Sequence, residues 1–196
     1  DQAEASYTEL DVNGFNQSVD SATAALECLA DPMPPEQAAR LHRLIGVHRF
    51  VHRDRVLAEA AFLAARTVDP EYAFPENMVP QGHGLRTLYE SVQPGSSYED
   101  VPHPVSGELL FDGDALAGRP VQSPTIVQIR DRRGRVVSTN YLETGAPLPD
   151  FRARKATSQR SKSNAPLIGL AVGAGSAAVI SASLLAVSAS SNTSFN

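Results

Sequence analysis

His48 and His52 form the first arrangement in the chain that could do chemistry. They lie four positions apart in HRFVHRDR, so they share one face of a helix at the spacing of two metal ligands. Zinc needs a third and a fourth ligand, and Glu59 is the nearest acid. The arginines of the same segment oppose a cation. We therefore expect two surface or interhelix histidines and no metal site.

Other candidate residues point to turns and packing. Asp112-Gly113-Asp114 is similar to part of a calcium loop, but no bidentate glutamate follows at the right distance, so a turn is predicted. Cys28 is the only cysteine and is predicted to be a small buried hydrophobe on a helix. No nucleophile elbow, phosphate loop or dinucleotide fingerprint occurs. We expect no enzyme, no cofactor and no small-molecule substrate. Without basic–aromatic interleaving we expect no nucleic acid.

The N-terminal half has the spacing of helices. Residues 13–31 place apolar side chains three and four positions apart, which predicts an amphipathic helix that ends before a proline. A second helix begins near Pro35 and breaks briefly around Asp54. A third helix follows and stops before Pro70. The last two are expected to form a helical hairpin with a short loop.

This hairpin resembles a tetratricopeptide repeat, a motif of about 34 residues with small and large apolar residues at fixed positions. With Pro70 as the closing proline, His42 and Arg49 depart from the pattern, standing where a tryptophan and a tyrosine are usual. The resemblance extends over residues 13–92, with a capping helix expected at 85–92, and we expect this part to bind other proteins. The residues at the packing positions of the repeat are Ile45, Gly46, Ala58, Phe62, Ala65 and Pro70.

Strands are predicted in the second half of the chain. Residues 70–106 are rich in proline, glycine, histidine and tyrosine and predict an irregular connector. Residues 107–149 then predict three or four strands, with a β-hairpin around the turn at 131–134. The order GELLFDG, PTIVQI, GRV resembles small β-sandwich modules of the PEGA or carboxypeptidase-regulatory-like kind. That resemblance implies a surface-exposed, non-catalytic module of the cell envelope.

The C-terminal end of the sequence has the character of a membrane span. From Pro166 to Asn196 there is no Asp, Glu, Lys, Arg or His. A helix over the uncharged residues 166–188 would be about 35 Å long, enough to cross a hydrocarbon core of about 30 Å. We predict a transmembrane helix at 166–190. Small residues recur at every fourth position, which favours close approach of another helix. These residues are Gly169, Gly173, Ala177 and Ser181.

Charge is unevenly distributed. Residues 130–162 hold nine basic and three acidic residues, a balance of +6, which leaves −11 for the rest of a chain whose formal net charge is −5. Such asymmetry indicates a surface for a partner or for lipid headgroups, with a solvated hairpin and linker as the alternative. The residues expected to lie near the membrane are Arg132, Arg133, Arg135, Arg152, Arg154, Lys155, Arg160 and Lys162.

Two features predict opposite orientations in the membrane. The basic residues before the span favour a cytoplasmic N-terminal part in a tail-anchored protein. Asp1 is typical of a processed start after removal of a signal peptide, and the abrupt end suggests a missing second span. With the resemblance to envelope modules, these points lead us to expect a periplasmic location in a bacterium. The cytoplasmic-facing alternative stays open.

The whole sequence therefore predicts an α+β chain that works as a non-enzymatic, membrane-anchored scaffold of the cell envelope. It is expected to bind other proteins through its repeat, to contact lipids, and to form a homo- or hetero-oligomer through its span. The alternative is a subunit of a large oligomeric membrane ring or pore. The predicted parts are a tetratricopeptide-like helical domain at 1–92, a linker at 93–106, a small antiparallel β-sandwich module at 107–150, a basic juxtamembrane linker at 151–165, a transmembrane helix at 166–190 and a tail at 191–196.

Overall fold

The computed structural model describes residues 2–9, 11–95, 97–115 and 118–152. These residues form helices followed by antiparallel strands, which confirms the predicted α+β class. Within these ranges the structure contains no helix with the length and apolar character needed to cross a membrane. The segment 166–190, for which a span was predicted, lies outside the described residues.

The first two helices are short and amphipathic. Helix α1 covers Gln2–Thr8 and helix α2 covers Val12–Ala25. The carboxylate of Asp11 accepts a hydrogen bond of 3.0 Å from the backbone N–H of Gly14, a side-chain cap that satisfies a free donor at the start of α2. Phe15 is buried on the inner face of α2.

The end of α2 differs from the prediction in one respect. The helix tightens into a 3-10 turn at Leu26–Cys28 and the chain leaves the helical conformation before Pro32, which confirms the predicted end. Leu26 takes the buried position of this turn, whereas Cys28 is exposed. The prediction of a buried thiol was wrong, because tightening the last turn shifts the positions that face inward.

The predicted helical hairpin is confirmed. Helix α3 covers Pro35–Val51 and helix α4 covers Arg55–Val68. Asp54 caps α4 by accepting a backbone hydrogen bond of 3.1 Å, which is why the chain can restart a helix so soon after the break. Gly46 lies directly against the ring of Phe62, so the two helices approach closely at that point.

The connector after α4 is packed against the helices. Helix α5 covers Gly84–Ser91, close to the helix predicted at 85–92. Tyr89 of α5 meets Phe62 of α4 and Phe74 of the connector at ring-centroid distances of 5.3 and 4.9 Å. These edge-to-face contacts bury the connector residue in the core, although the sequence predicted only an irregular segment there.

The strands form two small antiparallel sheets, one of two strands in the order β1-β3 and one of three strands in the order β2-β4-β5. The hairpin predicted around residues 131–134 is confirmed as β4–β5. Strand β1 lies within the segment predicted as a linker at 93–106. The strands are β1 Tyr98–Asp100, β2 Glu108–Phe111, β3 Gly118–Pro120, β4 Thr125–Arg130 and β5 Val136–Leu142.

A tight turn at Asp112-Gly113 connects the sheet to the helices. Phe111 and Asp114 exchange backbone hydrogen bonds of 2.7 and 3.0 Å, and φ is 51° at Asp112 and 91° at Gly113. Two positive φ values with an Asp-Gly pair are typical of a type I′ hairpin turn, so the predicted turn is confirmed. A methyl group at Gly113 would collide with the backbone of Met33. The turn therefore packs on the start of α3.

Helices and sheet share one apolar core. Ile126 of β4 is fully buried in the same cluster as the helical residues. A second cluster around Phe111 and Val127 is covered by Leu148 and Phe151. The domain limits taken from the sequence stay predictions, and the structure adds that the helical and β parts are joined by buried contacts.

Candidate functional site

The residues predicted to pack the repeat lie along the α3–α4 contact or just after it. Ile45, Ala58, Phe62 and Ala65 are buried, and Pro70 is exposed directly after α4. Gly46 faces Phe62 as described above. Close helix packing of this kind occurs in many helical hairpins. The resemblance to a tetratricopeptide repeat therefore stays a prediction.

A buried polar cluster, which the sequence did not reveal, joins α3 to the sheet. His42 Nε2 lies 2.8 Å from Asp112 Oδ1, and the His42 side chain is 0% exposed. Asp112 also accepts hydrogen bonds from the backbone N–H of Ile126 at 2.7 Å and from the hydroxyl of Thr125 at 3.0 Å. The only signals in the sequence were a histidine at a position where the repeat has a tryptophan and an aspartate at a turn.

This cluster has the residue types of an acid–base pair but not the access. A histidine held by a carboxylate can act as a general base when a substrate reaches its ring, and His42 is fully enclosed. The Tyr141 ring lies 5.5 Å from it. Burial, and to a lesser degree Glu143, raise the pKa of Tyr141, so the phenol stays protonated. We therefore assign the cluster a structural part in fixing α3 on the sheet.

Gln128 makes a second polar link between the same elements. Its side-chain oxygen accepts the backbone N–H of Met33 at 2.8 Å, and its amide donates to the carbonyl of Asp31 at 3.3 Å and to Thr139 Oγ1 at 3.1 Å. The segment before α3 thus satisfies its backbone groups through one side chain of β4, as buried polar groups require. This link holds the start of α3, and the contact of His42 with Asp112 holds its middle.

The opposite end of α3 borders the candidate site, which we call the α5 groove. It has a volume of about 760 Å³. Its floor is apolar and consists of Phe50 and Val51 from α3 and Leu88 from α5. Gly84 has no side chain and leaves the floor open. A methyl group at this position would lie 3.6 Å from the Phe50 ring, so a larger side chain would cover the floor.

The rim of the α5 groove is basic. Arg53, Arg55 and His83 are exposed there. In the described part of the chain the Arg53 guanidinium has no ion pair, and Arg55 pairs with Glu59 at 2.8 Å while its side chain stays 76% exposed. The described residues that line the groove include no carboxylate.

Arg53 and Tyr7 also line the α5 groove. Arg53 has a φ of 62°, the left-handed conformation that commonly ends a helix, and here the backbone N–H of Asp54 donates to the carbonyl of Arg49 at 2.9 Å. Burial raises the pKa of Tyr7, so its hydroxyl at the groove stays protonated and can donate a hydrogen bond. The arrangement can bind a ligand that combines apolar side chains with negative charge.

His48 and His52 lie beside one another where α3 meets α2. Their ring centroids are 4.5 Å apart, and His52 Nε2 lies 3.3 Å from Asn16 Oδ1. The prediction of surface or interhelix histidines agrees with these positions. No three His, Cys, Asp or Glu side chains in the described ranges are grouped to hold a metal ion.

We expect His48 to make the fold less stable in acid. Burial, and then the charge of His52, lower the pKa of His48 from its ordinary value of 6.5. The unfolded chain then binds the proton more readily, so stability is full above pH 6.5 and falls as the pH drops from there through the lowered pKa. Urea unfolding at a series of pH values should show a shallower acid loss for His48→Gln. The exposed His103→Gln serves as the control, and identical pH slopes for His48→Gln and the wild type would contradict the assignment.

Four of the basic residues predicted to lie near the membrane are described, three around the β4–β5 turn and one at the end of the described ranges. Arg132, Arg133, Arg135 and Arg152 are exposed. Hydrogen bonds from the backbone N–H groups of Arg135 and Arg133 lower the pKa of Asp131 and hold the turn. The remaining predicted residues lie outside the described ranges, namely Arg154, Lys155, Arg160 and Lys162 of the basic linker and Gly169, Gly173, Ala177 and Ser181 of the span.

Comparison with protein-family models, with curated proteins and with solved structures gives no match for this chain. The resemblances to the tetratricopeptide repeat and to PEGA-like modules therefore stay predictions. Sequence reasoning missed the α5 groove, since Arg53 and Arg55 were noticed only as charges that oppose a metal. The functional proposal below starts from the geometry of the groove.

Proposed function

We propose that this chain is a non-enzymatic scaffold of the bacterial cell envelope that is anchored by residues 166–190 and binds a segment of another protein in the α5 groove. The observation that carries the proposal is an apolar floor under a basic rim without a carboxylate. The occupant that fits is an acidic peptide segment with at least one large apolar side chain. The predicted anchor would hold that partner at the membrane.

The apolar floor and the basic rim make different contributions to binding. Burying one leucine or phenylalanine side chain of the ligand stabilises the complex by about 1.5–3 kcal/mol. Each exposed ion pair at the rim adds only about 0.2–1 kcal/mol. The floor over Phe50 and Leu88 therefore sets most of the affinity. Arg53 and Arg55 select an acidic ligand and speed its approach.

The chain's own C-terminal segment is a poor occupant for the α5 groove. Residues 153–196 contain four basic residues and no acidic one. Arg53 and Arg55 would repel such a segment. A partner of opposite charge is favoured for this reason.

We expect the double substitution Arg53→Gln/Arg55→Gln to weaken binding of an acidic peptide roughly three- to tenfold, because two exposed charge contacts are lost. The probe is a fluorescein-labelled peptide of alternating glutamate and leucine. Its anisotropy is measured against the full chain in lipid nanodiscs, with the signal of empty discs subtracted. A peptide of alternating lysine and leucine should bind more weakly than the acidic peptide.

Two matched variants control this experiment. Arg132→Gln/Arg133→Gln removes the same charge at the β4–β5 turn and should leave the affinity unchanged. Gly84→Leu fills the groove at an exposed helix start and should abolish binding of the acidic peptide. Equal weakening by both arginine pairs would reduce the effect to net charge and overturn the proposal, as would equal affinity for the two peptides.

The alternative drawn from the sequence is a subunit of an oligomeric membrane ring or pore. It depends on the row of small residues in the predicted span, which lies outside the described ranges. It stays a prediction beside the scaffold, and the α5 groove favours the scaffold because an anionic peptide site is not needed to build a pore wall.

A further inference from the structure

We propose that one end of the three-stranded sheet is a lipid-binding surface for anionic headgroups. We call it the basic end and define it by Arg132, Arg133 and Arg135 of the β4–β5 turn together with Arg152. It is a different surface from the α5 groove and extends the proposed function. It rests on that function only through the predicted anchor, which would bring a membrane close.

The structure places the β4–β5 turn and Arg152 at the same end of the sheet. The backbone of Gly107, where φ is 81°, lies directly against the carbonyl of Arg130, the last residue before the turn. Two residues earlier, the backbone N–H of Val105 donates to the carbonyl of Arg152 at 2.7 Å. Two residues span about 7 Å at most, so with the hydrogen bond of 2.7 Å the Arg152 carbonyl lies within about 10 Å of Gly107.

The path of the chain explains why Arg152 lies at this end of the sheet. Strand β5 runs away from the turn as far as Leu142, which pairs with Thr125 at the other end of the sheet. The chain then comes back, because Leu148 and Phe151 pack on the apolar cluster that includes Leu109. Burial of these two side chains fixes the direction of return and brings Arg152 to the turn.

The charges at the basic end are mostly uncompensated. The guanidinium groups of Arg132 and Arg133 are exposed and make no ion pair with any described residue. The Arg135 side chain pairs with Asp131 at 3.0 Å and remains 68% exposed. Glu108 pairs with Arg130, and Asp150 precedes Arg152 in the sequence. The acids at positions 27 and 31 lie on the segment beside the edge of β5, where the backbone N–H of Val136, the residue after Arg135, donates to the carbonyl of Ala30 at 3.2 Å. Within the described ranges, neither acid forms an ion pair with an arginine of the basic end.

Lipid is the occupant that the position of this surface favours. A hairpin turn is a convex tip with no apolar floor, so it offers charge contacts and no pocket for a side chain. Beyond Arg152 the sequence adds Arg154 and Lys155 before residues 166–190, with no acidic residue on the way. In the sequence, 13 residues (153–165) separate Arg152 from the predicted span. Each arginine near an anionic surface strengthens binding about fivefold, and only within a Debye length of about 8 Å.

The test uses the full chain with Cys28→Ser and one new thiol for a fluorescent label, either Val137→Cys beside the turn or Thr144→Cys near the other end of the sheet. Val137 is 61% exposed and Thr144 is exposed. The labelled chain is mixed with vesicles by detergent removal and floated on a gradient. The vesicles contain phosphatidylcholine with a headgroup-linked quencher, either alone or with phosphatidylglycerol.

We expect strong quenching at position 137 in vesicles with phosphatidylglycerol and weak quenching at position 144. Adding Arg132→Gln/Arg133→Gln, or raising the salt concentration, should remove most of the quenching at position 137. Arg53→Gln/Arg55→Gln should leave it unchanged. Equal quenching at both positions, quenching independent of phosphatidylglycerol, or a chain that floats with neither vesicle would overturn the proposal. If the true occupant is an acidic protein, the quenching at position 137 should not depend on phosphatidylglycerol.

Failure of the basic end and failure of the anchor give different results. A chain that floats with neutral vesicles but is unquenched at position 137 in vesicles with phosphatidylglycerol supports the anchor and overturns the basic end. A chain that floats only with phosphatidylglycerol vesicles and is quenched at position 137 supports the basic end and overturns the anchor. Neither result bears on the α5 groove, which is tested by peptide binding.

Discussion

Replacing Asp112 with alanine is expected to lower the free energy of unfolding by about 3–5 kcal/mol, the cost of breaking a buried polar pair from one side. The carboxylate accepts hydrogen bonds from His42, Thr125 and the backbone of Ile126. Its removal leaves three buried donors without their acceptor. It also places alanine at a φ of 51°, which asparagine and aspartate tolerate better. Urea unfolding of the full chain in detergent, followed by the fluorescence of its five tyrosines in the absence of tryptophan, measures the loss.

Two variants at the same turn separate the buried carboxylate from the turn itself. Asp114→Ala changes an exposed residue and should cost little. Asp112→Asn keeps an acceptor oxygen and tolerates positive φ, so it should cost less than alanine. Equal unfolding midpoints for Asp112→Ala and Asp114→Ala would show that the cluster does not fix the helices on the sheet.

Gly46→Ala is expected to destabilise the chain by about 1–3 kcal/mol, although the same change in an exposed helix stabilises by about 1 kcal/mol. The sign of the stability change therefore distinguishes a close contact at Gly46 from an exposed helix position. A methyl group at Gly46 would overlap the ring of Phe62. That ring is fully buried and is held edge-on by Phe74 and Tyr89 at centroid distances of 6.4 and 5.3 Å, so it has no room to move. Thermal unfolding followed by circular dichroism measures the change.

The matched control for Gly46→Ala is Gly84→Ala at the exposed start of α5. Its methyl group would make an ordinary contact of 3.6 Å with Phe50, so we expect no loss of stability. Phe62→Leu frees space beside position 46. The double variant with Gly46→Ala should therefore cost less than the two single changes added together. Strict additivity would contradict the close approach of α3 and α4.

Local patterns explain how much of the fold could be predicted. The helices at α2, α3 and α4 follow apolar spacings of three and four, and they end at prolines or aspartates that act over a few residues. The β4–β5 hairpin follows from β-branched residues on both sides of a polar turn. In each case the residues that determine the element lie inside it.

The features that escaped prediction depend on residues far apart in the chain. His42 and Asp112 are 70 positions apart, and the local sequence around either residue does not predict its contact with the other. The α5 groove is formed by Tyr7, by the end of α3 and by α5, which meet only in the folded chain. Cys28 changed from buried to exposed because of one tightened helical turn. Tertiary packing decides such positions, and a single sequence does not show which distant residues will pack together.

Site-specific photo-crosslinking in cells tests most directly whether the α5 groove holds an acidic segment of another protein. A photoreactive phenylalanine is placed at the exposed Thr87 on the groove, or at the exposed Glu36 at the start of α3 as a control. We predict one discrete crosslinked protein from position 87 and none from position 36. We further predict that Arg53→Gln/Arg55→Gln reduces the yield of the product and that sequencing finds the crosslink in an acidic stretch of the partner. No product at position 87, or the same product from both positions, would contradict a binding site in the groove.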